Sequence, residues 1–331
     1  MRRRLLRFAP LAVAVLATVG IVVTAPAGRE GAVTQDALGG EQLRIMAPAA
    51  PGGGWDQTSR EMQAALREVV GRTEVYNVAG AGGTIGLSQF VRFAGDPTQL
   101  MTTGLIMVGA VAANGSPHSL AETTPLVRLT TDYQVVVVAK DSPLADTAGL
   151  VAAMRADLPA VSISGGSAGG VEQILAGLLA KAVGGDPAQV SYVAHSGGGE
   201  ALTTLLSGRS TIGISGVSEI QPQIEAGTVR ALAVSSPERL PALPDVPTLR
   251  EAGLDVELQN WRGVVAPPGI TPEQEQALED ALVAMTRTPG WRDALARRGW
   301  GDALLAGPEF EQFVRAEQDR VSQVLAEIGL G

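Results

Sequence analysis

The chain has 331 residues, 45% of them apolar, which is long enough to bury the cores of two α/β units. A formal charge of −9 argues against an extended nucleic-acid surface, and any anion site must be built locally against the field of the whole molecule. With no cysteine, and His118 and His195 the only histidines, the sequence excludes disulfides, thiolate nucleophiles, iron–sulfur clusters and histidine-rich metal sites.

Residues 1–27 read as an export signal. Arg2, Arg3, Arg4 and Arg7 precede an apolar run from Phe8 to Val23, and Ala25-Pro26-Ala27 supplies a small-residue cleavage site. The run is short for a membrane span, and no cysteine is present to carry a lipid anchor. Residues 28–40 read as a flexible leader. The mature chain is therefore expected outside the cytoplasmic membrane, as a periplasmic or extracytoplasmic protein.

From Glu41 onward strand and helix patterns alternate. LRIMAP is a buried-type strand, TSREMQAALREVVG an amphipathic helix, EVYNV a second strand, TIGLSQFVRFA a second helix and QLMTTGLIM a third strand. YQVVVVAK is the strongest strand signal of the chain. A second series follows: TAGLVAAMRADL, VSISG, GVEQILAGLLAKAVG closed by Gly184, VSYVA, EALTTLLSG, TIGISG, EIQPQIEAG and VRALAVSS. LPALPDVPTLREAGL reads as a proline-rich excursion ending in a short helix, and VELQNWRGVVAPPG as a returning strand. Everything beyond reads as helical, with Thr271-Pro272-Glu273 placing an N-cap before proline at N1.

This alternation predicts an α/β fold of parallel sheet covered by helices, in two lobes joined by two crossing strands. The expected boundaries are 41–138 plus 264–331 for a discontinuous first lobe and 139–263 for the second. Two crossings form a hinge, and a hinge between α/β lobes encloses a ligand cleft.

Glycine-rich turns interrupt strand and helix at PGGGWDQT, AGAGGTIG, GGSAGG and HSGGGE. Each aims backbone N–H groups out of a helix N-terminus, where the dipole also favours negative charge, and glycines permit close approach. A backbone hydrogen bond to a charged group contributes about 1.5–3 kcal/mol, so several from opposite lobes reach the roughly 8 kcal/mol of micromolar binding. No arginine or lysine lies inside these turns, which suits a small carboxylate better than a highly charged phosphate. The second turn fits a dinucleotide fingerprint at Gly80 and Gly82, but its third glycine position falls on Ile85, and no phosphate-binding lysine loop occurs. Gly165, Ser167 and Gly169 match a nucleophile elbow, yet His195 follows too soon to leave room for the usual intervening strands. Asp56 reads as a helix cap with ligand contact open, Trp55 as cleft wall or core, His195 as a polar wall residue and Trp261 as hinge or cleft filling. Arg297 and Arg298 read as a solvated helix face.

PAAPGGGWDQTSR, NVAGAGGTIGL, GGGEALTTLLSG and above all VRALAVSSPERLPALPDVPTLREAGL followed by WRGVVAPPGITP resemble the substrate-binding proteins of tripartite tricarboxylate transporters, the TctC-like or Bug receptors. The resemblance runs from about Leu43 to the C-terminus. It implies a type II periplasmic-binding-protein fold of the Venus-flytrap kind and no catalysis; no cofactor and no metal-ligating residue is expected, and whether a cation accompanies the acid stays open. By the same resemblance, one carboxylate is gripped by Gly52, Gly53, Gly54, Trp55 and Asp56 with Ala81, Gly82, Gly83 and Thr84. The distal part of the ligand falls to Gly165, Gly166 and Ser167 with His195, Ser196, Gly197 and Gly198. Many members read N-R-P-G-A-G-G where this chain has Asn77-Val78-Ala79-Gly80-Ala81-Gly82-Gly83; together with Trp55 after three glycines, this departure resembles the tricarboxylate-binding branch more than members that bind amino acids or aromatic acids, and points toward citrate or a related tri- or dicarboxylate. The implied partners are a large and a small integral membrane subunit driven by an ion gradient, with the receptor itself a monomer. A sensor for a membrane kinase and a secreted serine hydrolase using Ser167 remain as rival readings.

Overall fold

The computed structural model describes residues 42–195, 197–327 and 329; the export signal, the leader and Ser196 lie outside the described residues. In the first lobe β1 (Leu43–Ala47) pairs in parallel with β2 (Thr73–Asn77) and β3 (Gln99–Gly104). The second lobe places β5 (Ile163–Gly165) in parallel between β6 (Tyr192–Ala194) and β7 (Ile212–Gly216).

The sheets are mixed rather than wholly parallel, because the connecting strands run against the rest. β4 (Thr124–Ala139) is 16 residues long and serves both lobes. As far as Tyr133 it pairs antiparallel with β9 (Gln259–Ala266), and on its other edge with β10 (Gly301–Ala306). From Gln134 onward its partners are β7 and β8 (Val229–Val234). The chain returns beside this point: Leu258 donates its amide to Ser235, whose hydroxyl donates back to the Leu258 carbonyl at 2.6 Å. The two crossings thus lie side by side, at Tyr133/Gln134 and Leu258/Gln259.

Helices cover both sheets. Those of the first lobe are α1 (Gly54–Leu66), α2 (Thr84–Phe90) and α3 (Leu105–Ala113). Those of the second are α4 (Thr147–Ala156), α5 (Val171–Ala182), α6 (Gly198–Leu206) and α7 (Val217–Glu225). The C-terminal α8 (Pro272–Thr286), α9 (Pro289–Arg298) and α10 (Gly307–Glu327) complete the fold. Thr271 caps α8 through a reciprocal capping box with Gln274, and Pro272 occupies its first turn, as the sequence predicts.

Three elements depart from the sequence expectations. LIMVGAVAA is read there partly as the end of a strand and otherwise left unassigned, but it forms α3. A uniformly apolar run carries no helical periodicity, and this helix packs between the C-terminal helix, the sheet and the second lobe. β10 interrupts the expected all-helical C-terminus, its GDALLA sequence offering no β-branched or aromatic residue to mark a strand. The short helix expected near Leu249 closes after a single turn. Thr248 and Glu251 cap each other's amides, and Gly253 ends the turn at φ +82°.

One apolar core runs through both lobes, joining Met46, Leu105 and Phe310 to Ile163, Leu175 and Leu179. The lobes meet at glycine: a Cβ added to Gly109 of α3 would collide with the Gly169 carbonyl, and one on Gly169 would lie 2.7 Å from the Ala113 methyl. Farther back, Lys181 of α5 donates to Glu327 of α10 at 2.6 Å. Trp261, fully buried, sits edge-on to Phe310 and Phe313 and donates its indole N–H to Glu317 at 3.0 Å, so it belongs to the core beneath α10.

Candidate functional site

The first glycine turn joins β1 to α1. Gly52 adopts φ +84°, a conformation costly to any residue with a Cβ. Asp56 reaches back to hold the turn, accepting from the Gly52 amide at 2.8 Å, from Asn77 at 2.8 Å and from Arg60 at 3.0 Å. Burial alone would raise its pKa, but these donors together hold the carboxyl below its ordinary value. Asp56 therefore spends its charge inside the protein, tying the first turn to β2. Trp55 is buried against the positions of Gly83 and Gly104 and fills the core behind the turn.

A cavity of about 630 Å³ lies between the lobes. From the first lobe Gly52, Gly53, Gly54 and Gln57 line it; from the second, Gly166, Ser167, Gly197 and Gly198. The N-termini of α1, α5 and α6 border this space through those turns. The second turn is not part of the lining. Gly80, Ala81, Gly82 and Gly83 all have positive φ, the Ala81 carbonyl is held by Thr84 and Asn114, and Ala81 and Thr84 face a separate, shallower pocket of about 510 Å³. Gly165 is pressed beneath Tyr192 and Glu172. His195 sits behind the third turn: Nδ1 donates to the Gly165 carbonyl, which leaves Nε2 to accept from the Thr204 hydroxyl at 2.7 Å. Both ring nitrogens are occupied, so the imidazole offers no base to Ser167.

The charged lining is absent from the glycine motifs. Arg262 of β9 is only 5% exposed, yet its guanidinium reaches the cavity. It donates to the Thr58 hydroxyl at 3.3 Å, stacks 5.0 Å from the Trp300 ring centroid, and has no carboxylate within ion-pair distance among the described residues. A Cβ on Gly54 would lie 2.8 Å from Arg262 Nη2, so the missing side chain admits the guanidinium to the α1 N-terminus. A cation beside the positive end of a helix is electrostatically unfavourable until an anion joins it. Burial draws the guanidinium pKa below its usual value, opposed by the charges of Asp132 and Glu219.

The second lobe contributes acids. Glu172, in the first turn of α5, and Glu219, in the first turn of α7, both line the cavity. Burial pushes the Glu172 carboxyl up to about 7, with the nearby charges of Glu219 and Asp132 adding to the rise. Burial also raises Asp132, and desolvation by the cleft walls raises the more exposed Glu219, while Arg262 pulls both down. Asp132 lies beneath the surface, accepting from Ser218 at 2.6 Å and from the Tyr133 amide at 2.9 Å. At the rim, Arg297 and Arg298 correct the reading of a merely solvated face. Both bond Glu61 and line the cavity, and Arg298 lies 5.8 Å from the Trp300 ring centroid.

Sequence reasoning passed over Arg262 because it sought cations inside the turns. The signal was strand alternation: Trp261 points into the core, so its neighbour must face the other way. Glu172 and Glu219 each fall in the first turn of a helix that follows glycine, a place where a cap was the simpler expectation.

A two-lobed α/β molecule with glycine turns and one enclosed cation around a cleft is a ligand receptor by construction. The chain matches the family model described as "Tripartite tricarboxylate transporter family receptor" over residues 58–330 and belongs to that family. Its members are substrate-binding receptors and not enzymes. Protein BugT of Bordetella pertussis is 26% identical over 320 residues, covering 95% of this chain and 97% of that protein. MatC (Rpa3494) of Rhodopseudomonas palustris, solved with bound malate, has 26% identity and a TM-score of 0.72, covering 86% of this chain and 98% of that one. Rpa4515 of R. palustris, solved with adipate, shares the fold at 24% identity and a TM-score of 0.76, covering 87% and 97%.

Proposed function

We propose that this protein is an exported receptor that captures a small carboxylate in the interlobe cavity and delivers it to a membrane transporter driven by an ion gradient. The observation carrying this reading is Arg262: a buried guanidinium, without an ion-pair partner among the described residues, facing the cavity at the end of a glycine turn. The malate bound by MatC supports a carboxylate cargo, and the sequence motifs favour citrate or a related tri- or dicarboxylate. Gly52–Gly54 on one side and Gly166, Ser167, Gly197 and Gly198 on the other supply the backbone of the grip, and the lobes close about the crossings at Tyr133/Gln134 and Leu258/Gln259. The receptor works as a monomer beside separate large and small membrane subunits, and no helix among the described residues is long and apolar enough to cross a membrane.

The test is calorimetric titration of purified protein, shown by mass spectrometry to carry no ligand. Malate, succinate, citrate and adipate are titrated with and without magnesium. Micromolar binding of one acid, lost in Arg262→Gln, supports the reading. Absence of binding across di- and tricarboxylates would sink it.

A further inference from the structure

Trp300 is fixed in place by its backbone. It follows Gly299, which ends α9 in the left-handed region at φ +64°, and its amide donates to the Leu295 carbonyl at 3.0 Å, closing the helix. One residue on, Gly301 pairs with Thr131 of β4 and starts β10. The indole held between these anchors is 6% exposed and lines the cavity. Two guanidinium carbons lie near its ring centroid, that of Arg262 at 5.0 Å and that of Arg298 at 5.8 Å. They differ in what else they touch. Arg298 bonds the Glu61 carboxylate at 2.9 Å and the Gln57 side-chain oxygen at 3.3 Å. Arg262 pairs with no carboxylate among the described residues; around it are the Thr58 hydroxyl, the bare α-carbon of Gly54 and the indole.

We propose that Trp300 is a positioning residue, whose ring holds the Arg262 guanidinium at the cavity wall and leaves its positive charge available to a ligand anion. This rests on the carboxylate reading above. An aromatic ring attracts a cation through its quadrupole and carries no net charge, and the attraction strengthens when both partners are desolvated, as these are. A carboxylate in the same place would also hold the guanidinium, but it would cancel the charge, and an incoming anion would have to compete with it. Glu61 stands in that relation to Arg298 on the same ring. Holding the guanidinium in advance also removes the entropy loss of ordering a long side chain when the ligand arrives.

The test removes the aromatic face and keeps the bulk. Purified protein and its Trp300→Phe and Trp300→Leu variants are titrated calorimetrically with malate and with citrate, with thermal melts to confirm folding. Phenylalanine keeps a face and is expected to bind within fivefold of wild type. Leucine keeps only apolar volume and is expected to bind at least tenfold more weakly. Equal losses in the two variants, or none in either, overturn the assignment. A second readout needs no ligand. The emission of Trp300, taken as the difference spectrum between a protein and its Trp300→Phe counterpart, is expected to change when Arg262→Gln removes the neighbouring cation. An unaltered difference spectrum overturns the assignment whatever the titrations give. If wild type binds neither acid, the carboxylate reading is what fails, and the spectrum alone decides whether Trp300 holds Arg262.

Discussion

The two walls of the cleft are built from the same parts, a strand, a glycine turn and a helix N-terminus, yet they carry opposite charge. On the first-lobe side Gly52–Gly54 and Arg262 set amide donors beside a guanidinium. On the second-lobe side Gly166, Gly197 and Gly198 bring comparable amides, but Glu172 and Glu219 stand among them. Helix dipoles alone would make both walls anion-seeking. The difference teaches that the turns supply shape and donors common to both lobes, and that a few side chains outside the turns set the charge of each wall.

Removing the cation should have the largest effect on this asymmetry. Arg262→Ala is expected to weaken carboxylate binding at least about 30-fold, in line with the roughly 2–5 kcal/mol cost of truncating one partner of a buried charged pair. Titration against wild type measures it, and retention of full affinity would place the anion elsewhere. A smaller loss is expected at the contact between the lobes. Gly109→Val drives a side chain into the Gly169 carbonyl, and overpacking of this kind costs about 1–3 kcal/mol, read as a lower midpoint in urea. An unchanged midpoint would show that α3 and the third turn can separate freely.

The acid wall also makes stability depend on pH. The Glu172 carboxyl is raised to about 7, so the folded state holds its proton more firmly than the unfolded chain does. Its contribution is complete below the unfolded value and is lost as pH rises through about 7. The slope is at most about 1.4 kcal/mol per pH unit between roughly pH 5 and 7. Glu172→Gln should flatten that part of the profile, and an unchanged profile would show that Glu172 does not titrate there. The smallest effect is expected at Ser167. Ser167→Ala should alter binding less than threefold and should leave any trace esterase rate where it was, because the His195 ring is committed to Gly165 and Thr204.

Much of the fold was legible wherever periodicity was clean. The valines of β4, the capped start of α8 and the strand–turn–helix units all reported themselves through local pattern. α3 did not, because a helix buried on every side has no polar face to reveal its period, and β10 did not, because its pairing with β4 depends on residues far away in the chain. The site divides similarly. Gly52–Gly54, Gly166, Ser167, Gly197 and Gly198 could be placed by turn chemistry. Arg262 could not, since its proximity to the first turn arises from β9 lying two strands from β1 in the sheet order. His195 seemed to belong to the cleft by sequence position, yet a neighbouring carbonyl and the hydroxyl of α6 hold its ring behind the turn.

The core shared between the lobes ties the two walls of the cleft together. Gly109 seated against Gly169 and Lys181 bound to Glu327 fasten the lobes on one side, and Arg297 and Arg298 stand partly exposed at the rim of the cavity. A chain of net charge −9 thus keeps two arginines, both paired with Glu61, at the rim of the cavity. Anionic cargo would be drawn in by a local field opposed to the global one, so arrival should slow as salt screens these arginines, while departure, governed by buried contacts, should scarcely respond.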